Sequence, residues 1–294
     1  MEGLTLAKRL ASLIVLTGFV ASLGVPAASP AEPRGAFNVS CAYSHTRRDD
    51  PIVFPGLSKA SHQHDFFGNK STKYSSTYDT MVAAGTTCRL RDDKAGYWAP
   101  TATLNGVRVV PKAVHAYYFG VQERTVESFP PDLQMLAGSK DSTSGAENVR
   151  VGWFCGTERS PIASHPYDCG PYAGQRAVDG VVARVNFPSC WDGLTPARPF
   201  NTAYPTGRGI CPEGFPHLIP AVSLRFHFGF MDPCAGATPC TPEDAPDTNI
   251  KLALSSGPYY TFHADFWNTW TQSRIDGLVD VCLNEHINCG ELRS

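Results

Sequence analysis

The chain has 294 residues, of which 42% are hydrophobic and 18% charged, and this composition excludes disorder over most of its length. Its 25 basic and 27 acidic residues leave a formal net charge of -2, which provides no field to concentrate nucleic acid or anionic lipid. The length suits one large domain, which we expect over residues 32–294 and expect to be monomeric.

Residues 1–31 have the layout of a secretory signal peptide. Lys8 and Arg9 precede an apolar stretch over residues 10–25, and small residues suited to a signal peptidase follow it. A membrane anchor is the alternative, but polar residues and glycines dilute the stretch, and no later stretch is long and apolar enough to span a bilayer. We therefore expect a secreted, extracellular protein with no stable membrane span after signal removal.

Ten cysteines, an even number, are expected to form mostly disulfides in that oxidising compartment. No C-x2-C pair is present, which disfavours a zinc-thiolate site. The sequence leaves the pairing open, although Cys234 with Cys240 and Cys282 with Cys289 are close enough to close small loops.

Short β-strands account for most of the predicted elements. Residues 101–104 and 107–110 flank Asn105-Gly106, a dipeptide that favours a two-residue type I′ turn and predicts a β-hairpin. Branched and aromatic residues predict further strands at 114–119, 149–154, 181–187 and 250–254. Residues 221–230 alternate between apolar and polar side chains, as in a strand with one buried face. This series predicts a mainly β, disulfide-rich, single-domain β-sandwich or jelly-roll-like fold with long loops.

Only the C-terminal region has helical spacing. Apolar residues from Trp267 to Cys282 recur at three, four or five positions, and Asp265 is placed to cap the helix that they predict. Gly277 weakens the continuity of that helix.

Two short histidine motifs lie about two hundred residues apart. His62 and His64 would share one face of an extended chain, and His263 with Asp265 repeats that spacing. Neutral imidazoles on one face can bind a metal ion or pass protons. The alternatives are a hydrogen-bonded structural pair and, for Asp265, helix capping alone. We predict that both motifs meet in one cleft beside an exposed indole.

Several aromatic residues are candidates for stacking on sugar rings, although core packing is the alternative for each of them. Cys190, Trp191 and Asp192 are consecutive at the end of a predicted strand, where Cys190 is expected to be disulfide-bonded and Asp192-Gly193 could form a simple turn. The candidate substrate-binding rings are Tyr97, Trp98, Trp191 and Trp267.

Six motifs occur in an order that resembles the secreted family catalogued as domain of unknown function number nineteen-ninety-six, found in fungi and bacteria. They lie at residues 50–56, 61–68, 97–100, 187–193, 204–216 and 263–266. The resemblance runs from about Phe37 to the region of Trp270. It implies a secreted or cell-surface protein, in fungi often joined to WSC modules thought to bind wall carbohydrate, and it brings no settled catalytic residues. This chain has no WSC-like module or Ser/Thr-rich tail, so a wall-sensor role carries over poorly.

Three functions are compatible with these features. The first is action on, or binding of, an extracellular polysaccharide or cell-wall glycan, with Asp192 and Asp265 as the two carboxylates of a glycoside hydrolase. In that enzyme the histidines at 62, 64 and 263 would tune the acid or orient water. The second is a metal-dependent enzyme with a divalent ion on His62, His64 and His263, hydrolytic with zinc or redox-active with copper. The third is a non-catalytic wall-binding or adhesion module.

Motifs of several standard enzyme classes are missing. The sequence contains no G-x-S-x-G, H-E-x-x-H, Walker or G-x-G-x-x-G pattern, which argues against the usual serine hydrolases, zincins and nucleotide-binding proteins. The motifs of this sequence imply no particular cofactor, although they are compatible with a divalent metal ion.

Overall fold

The computed structural model describes residues 34–156, 161–167, 169, 180–198, 200–207, 209–229 and 252–294. The predicted signal peptide, the candidate Cys234–Cys240 disulfide, Phe230 and residues 250–251 of a predicted strand lie outside the described residues.

The described chain is mainly β-structure, as predicted. Its strands are β1 Ala36–Arg47, β2 His64–Gly68, β3 Gly96–Pro100, β4 Ala102–Leu104, β5 Val107–Val109, β6 Ala113–Phe119, β7 Gln134–Gly138, β8 Val151–Cys155, β9 Val181–Asn186, β10 Cys190–Trp191, β11 Thr202–Ala203, β12 His217–Leu218, β13 Ala221–His227, β14 Leu252–Leu254, β15 Gly257–Pro258, β16 His263–Trp267 and β17 Asn288–Glu291. The helices are α1 Tyr78–Val82 and α2 Gln272–Leu278, with a 3-10 turn at Tyr259–Thr261 and a π-helix at Val279–Asn284 that continues α2. None of the helices in this part of the chain is long and apolar enough to cross a membrane.

A ten-stranded sheet forms the body of the molecule, in the order β7-β16-β3-β2-β1-β6-β13-β9-β8, with β17 added in parallel to the start of β1. Strand β1 joins the two halves, because residues 36–42 pair with β6 and residues 43–47 pair with β2. The halves pack face to face, since Phe226 of β13 contacts Phe67 of β2 at 5.6 Å between ring centroids. This arrangement confirms the mainly β, disulfide-rich sandwich.

Local sequence signals correctly located several strands. Leu104 pairs with Val107 across Asn105 and Gly106, whose φ angles of 52° and 79° are those that a type I′ turn needs. The predicted strand at β13 is confirmed, and its even-numbered apolar side chains are buried in the main core. The expectation of a single buried face holds only in part, because Ser223 and His227 on the other face are buried as well.

The start of the predicted C-terminal helix is wrong. Asp265 and Trp267 belong to β16, and α2 begins only at Gln272, after Thr271. Strand β16 hydrogen-bonds to β3 on one side and β7 on the other, so two ladders of backbone bonds override the helical spacing of its apolar residues. Asp265 is therefore not a helix cap.

Disulfides join every cysteine that the described ranges contain. They are Cys41–Cys88, Cys155–Cys169, Cys190–Cys211 and Cys282–Cys289. The last of these confirms the short loop expected from sequence, and Cys190 is disulfide-bonded as expected.

A buried chain of hydrogen bonds crosses the main core. Trp270 Nε1 donates to the Tyr118 hydroxyl at 3.1 Å, the Tyr118 and Tyr97 hydroxyls are 2.7 Å apart, and Tyr97 donates to an Asp93 oxygen at 2.9 Å. Burial raises the pKa of Asp93 to about 8, although its hydrogen bonds from Tyr97 and the Ala95 amide oppose the shift. Asp93 therefore holds a proton at neutral pH.

We expect Asp93 to make the protein less stable as the pH rises. An acid whose pKa is higher in the folded state stabilises that state fully below its unfolded pKa of 3.8, and this stabilisation is lost as the pH rises through about 8. The stability of the wild type relative to Asp93→Asn should fall by a few kcal/mol between about pH 5 and about pH 9. Urea unfolding of both proteins across this pH range measures the difference in their free energies of unfolding. If that difference does not change with pH, Asp93 does not have the raised pKa assigned to it.

Candidate metal centre

Three histidines meet at one end of strands β2 and β16. His62 lies just before β2, His64 is the first residue of β2, and His263 is the first residue of β16. One ring nitrogen from each lies within 4.8 Å of the others, and Nε2 of His62 is 3.2 Å from Nε2 of His263. The prediction that the two distant motifs share one place in the fold is confirmed.

The register of three neighbouring strands brings these side chains together. His64 of β2 pairs with Pro100 of β3, and Asp265 of β16 pairs with Trp98, two residues before Pro100. Strands β2 and β16 flank β3 on opposite sides. His263 precedes Asp265 by two residues in an antiparallel strand, so it lies level with Pro100, across β3 from His64. Side chains at alternate positions point to the same face of a sheet, which places His64, His263 and Asp265 on one face.

Backbone carbonyls determine the tautomers of the two buried histidines. The Nδ1 atom of His64 is 3.0 Å from the Asp49 carbonyl oxygen, and that of His263 is 2.8 Å from the Thr261 carbonyl oxygen. A carbonyl oxygen only accepts, so both Nδ1 atoms carry the proton and donate. Each Nε2 atom is left with a lone pair, the arrangement usual for metal-ligating histidines.

All three imidazoles are neutral at neutral pH. Burial lowers the pKa of His62, His64 and His263, in the last case to about 4, and repulsion from a neighbouring imidazole adds to the shift for His64 and His263. The neutral ring is the form that binds metal ions. Because the Nε2 atom of His263 has a lone pair and no proton, the Nε2 atom of His62 donates to it across 3.2 Å. A cation bound by both Nε2 atoms would replace this hydrogen bond, and the proton of His62 would move to its Nδ1 atom.

Two carboxyl groups lie next to His64. One oxygen each of Asp50 and Asp265 and one ring nitrogen of His64 lie within 4.8 Å of one another. Asp50 Oδ1 accepts hydrogen bonds from the amides of Ile52 and Val53, at 3.1 and 3.0 Å. Burial raises the pKa of Asp50 to about 6 and that of Asp265 well above its usual value, and the charge of Asp50 adds to the shift of Asp265.

Asp265 has an unusual environment for a carboxyl group. It is fully buried, and neither oxygen has a hydrogen-bond partner among the described residues. The Nε2 atom of His64 is likewise buried without a partner there. Buried polar groups in folded proteins are nearly always paired, so these three atoms are the strongest indication of a ligand at this place.

Most of the predicted sugar-stacking rings are inaccessible. Trp98 and Trp267 are buried with Phe66 in a small apolar cluster on the same face of the sheet, and Tyr97 is buried in the main core. The prediction that these three rings present open faces is wrong, because loops and α1 cover this face while the other half of the sandwich covers the opposite one. The cleft has no exposed indole from Trp98 or Trp267.

Trp191 belongs to β10 in the three-stranded sheet β11-β10-β12, and Asp192 follows it. Asp192 accepts a hydrogen bond from the Leu194 amide at 2.9 Å, which is turn chemistry, and the half-buried Trp191 ring is 5.3 Å from His217. Neither residue lines the cavity at the histidines. Because Asp265 is sealed from solvent, the predicted Asp192–Asp265 pair is wrong as a pair of carboxylates flanking a substrate bond.

A cavity of about 360 Å³ opens over the centre. His62, His263 and Asp50 line its floor, and Lys140 and Phe200 are among the side chains around them. Phe200 is 81% exposed. Asp50, Lys140 and Phe200 were not among the residues predicted for the site, and of the three only Asp50 has a signal in the sequence, since it opens the first of the six family motifs.

A family model described as a domain of unknown function, DUF1996, matches residues 50–270. The chain belongs to the DUF1996 family. The matched span contains all three histidines and both carboxylates of the candidate centre, and it confirms the resemblance carried by the six motifs. No curated protein and no solved structure gives a significant match to this DUF1996 chain.

Proposed function

We propose that this DUF1996 protein is a metal-dependent extracellular enzyme with a divalent ion bound by His62, His64 and His263. The observation that carries the proposal is the group of buried, unpartnered atoms, namely His64 Nε2 and both oxygens of Asp265. Leaving a buried polar atom unpaired costs about 1–3 kcal/mol, and more when it is charged. A cation among these atoms would offset that cost.

Zinc is the ion that best fits the ligand set. Three neutral imidazoles suit zinc and copper, and a three-ligand site with one open position is the usual catalytic zinc arrangement. His62 is half-buried, and both His62 and His263 line the cavity, so an ion held by these residues would be within reach of a substrate in the cavity. The buried carboxyl groups lie next to His64 and would balance the charge of the ion.

The proposed reaction is hydrolysis. A bound zinc ion would supply Lewis acidity and lower the pKa of a coordinated water. Asp50 lines the cavity, and two backbone amides donate to its Oδ1 atom. Its second carboxylate oxygen would be the one to accept a proton from water in this reaction. Lys140 also lines the cavity, but its ammonium group pairs with Asp141 Oδ1 at 2.6 Å, and Asp141 lines the same cavity, so no charge stabilisation is assigned to it.

We propose an extracellular polysaccharide as the substrate class. The exposed ring of Phe200 at the cavity offers an apolar face for a sugar ring, in place of the buried tryptophans. The disulfides support the extracellular setting, because such bonds persist in oxidising compartments.

Metal titration of the purified, EDTA-treated protein tests the centre. We expect one zinc ion per chain, and at least about 100-fold weaker affinity in His62→Ala and His263→Ala, because each variant removes a ligand. His217→Ala is the matched control, since that imidazole pairs with Glu127 at the surface and does not line the cavity. Isothermal titration calorimetry and elemental analysis give both quantities.

Turnover of a panel of polysaccharides, followed by release of reducing ends, tests the reaction. Activity should require zinc, be lost in EDTA and return when zinc is added. A protein that binds no metal, or whose turnover survives EDTA and His62→Ala alike, would contradict the proposal. Glycan binding without turnover would instead favour a wall-binding module.

A further inference from the structure

Three arginines surround a second cavity, of about 330 Å³, on the outer face of the other half of the sheet. They are Arg34 near the start of the described chain, Arg184 of β9 and Arg225 of β13. Arg184 and Arg225 pair directly across the two strands, and Ser223 pairs with Asn186 in the next row of the same face. Like charges at directly opposite positions destabilise a sheet, so this arrangement calls for a compensating group.

No such group comes from the described residues. No acidic side chain lines the cavity, and no salt bridge in the described part of the chain involves these arginines. The Nε atoms of Arg184 and Arg225 and the Ser223 hydroxyl are buried there without hydrogen-bond partners, and Ser223 is only 4% exposed. Burial, and next the charge of Arg225, lower the pKa of Arg184.

Aromatic rings hold two of the guanidinium groups in place. Arg225 lies 3.9 Å above the Tyr117 ring, and Arg34 lies 3.9 Å above the Phe119 ring. Stacking of this kind uses the flat face of a guanidinium group and leaves the N–H donors around its edge available. The rings therefore account for the packing of these arginines but satisfy none of their donors.

We propose that the cavity formed by Arg34, Arg184, Arg225 and Ser223 binds an oxyanion, a carboxylate, sulfate or phosphate group. Guanidinium edges bind such groups through paired, charge-assisted hydrogen bonds, and the Ser223 hydroxyl adds one more donor. The anion has two sources, a free inorganic ion or a charged group on an acidic polysaccharide. The site is separate from the metal centre, because no residue lines both cavities.

Anion binding by the whole protein tests this site. Sodium sulfate and polygalacturonate are titrated at constant ionic strength, with sodium chloride as the reference for simple screening, and Tm and calorimetric affinity are measured. We expect sulfate to raise the Tm of the wild type. Affinity should fall about tenfold or more in Arg184→Gln and Arg225→Gln, the loss expected for one charged hydrogen bond.

Arg150→Gln is the matched control, because Arg150 also stacks on a ring, that of Tyr204, but does not line the cavity. It should bind both anions as the wild type does. Tighter binding of polygalacturonate than of sulfate would identify an acidic polysaccharide as the source, and binding of sulfate alone would identify a free ion. The proposal is overturned if neither anion binds, or if Arg184→Gln and Arg225→Gln bind as the wild type does.

The Tm measured without added sulfate distinguishes an anion-binding site from a cluster of arginines and rings that only stabilises the fold. Removing one of two facing positive charges should leave the Tm of Arg184→Gln in sodium chloride unchanged or higher. A lower Tm together with an unchanged response to sulfate would show that the arginines serve packing alone, and would overturn the proposal.

Discussion

Without metal, Asp265→Asn is expected to be at least as stable as the wild type. With zinc bound, the variant is expected to be less stable than the zinc-loaded wild type. Asp265 is fully buried and makes no hydrogen bond within the described residues, so the substitution loses no such contact and removes an ionisable group from the interior. Zinc at about 1,000 times its Kd should stabilise the wild type by about 4 kcal/mol. The gain should be about 1–3 kcal/mol smaller in the variant, which corresponds to a 10- to 100-fold weaker affinity.

Urea unfolding in EDTA and in excess zinc measures both parts of this prediction. Asp192→Asn is the control, because Asp192 accepts a hydrogen bond from the Leu194 amide and does not line the cavity. Asp192→Asn should lower the free energy of unfolding by the same small amount in EDTA and in excess zinc. Equal destabilisation by Asp265→Asn in the two conditions would mean that the carboxyl group has only a structural role.

Phe266→Ala should lower the free energy of unfolding by about 3–5 kcal/mol. Phe266 follows Asp265 in β16 and points to the opposite face, where it is fully buried in the main core. Its ring centroid lies 5.6 Å from that of Tyr97, 5.7 Å from Phe129 and 6.4 Å from Phe187. Truncation would leave a cavity between the two halves of the sandwich, where the backbone ladders prevent collapse.

The comparison for this variant is Phe200→Ala. Phe200 is 81% exposed, so its truncation should change stability by less than about 0.5 kcal/mol. Chemical denaturation of the two variants measures the contrast. Similar losses in both would contradict the packing described for β16. If Phe200 stacks on a sugar ring, Phe200→Ala should also weaken polysaccharide binding while unfolding like the wild type.

The strands that sequence located correctly carry local signals. The turn at Asn105-Gly106 needs only two residues with positive φ angles, and the alternation in β13 follows from the one face that packs into the main core. Strand β16 carries neither signal, since all five of its residues are buried. Its apolar residues run on into those of α2 and so suggest a single helix. A central strand of this kind is recognised only once its neighbours β3 and β7 are known.

The histidines of the candidate centre were found because their spacing and residue type are informative in themselves. The roles of the aromatic rings were not predictable in the same way, because exposure depends on what covers them. Ile52 and Met81 pack over Trp98 and Trp267 from segments far away in sequence. Asp50 and Phe200 reach the cavity from loops. The family motif marks Asp50 as a residue of interest, but no local pattern indicates that either loop folds against the histidines.

The sequence by itself determined the β-rich, disulfide-bonded character of this protein, its membership of the DUF1996 family and the identity of the three histidines, because these follow from composition, short-range pattern and motif order. Only the tertiary structure decided that the histidines converge, that Asp50 and Asp265 join them and that the tryptophans beside them are buried. The reason is that β2, β3 and β16 become neighbours through backbone pairing between distant segments, and no local pattern specifies those partners.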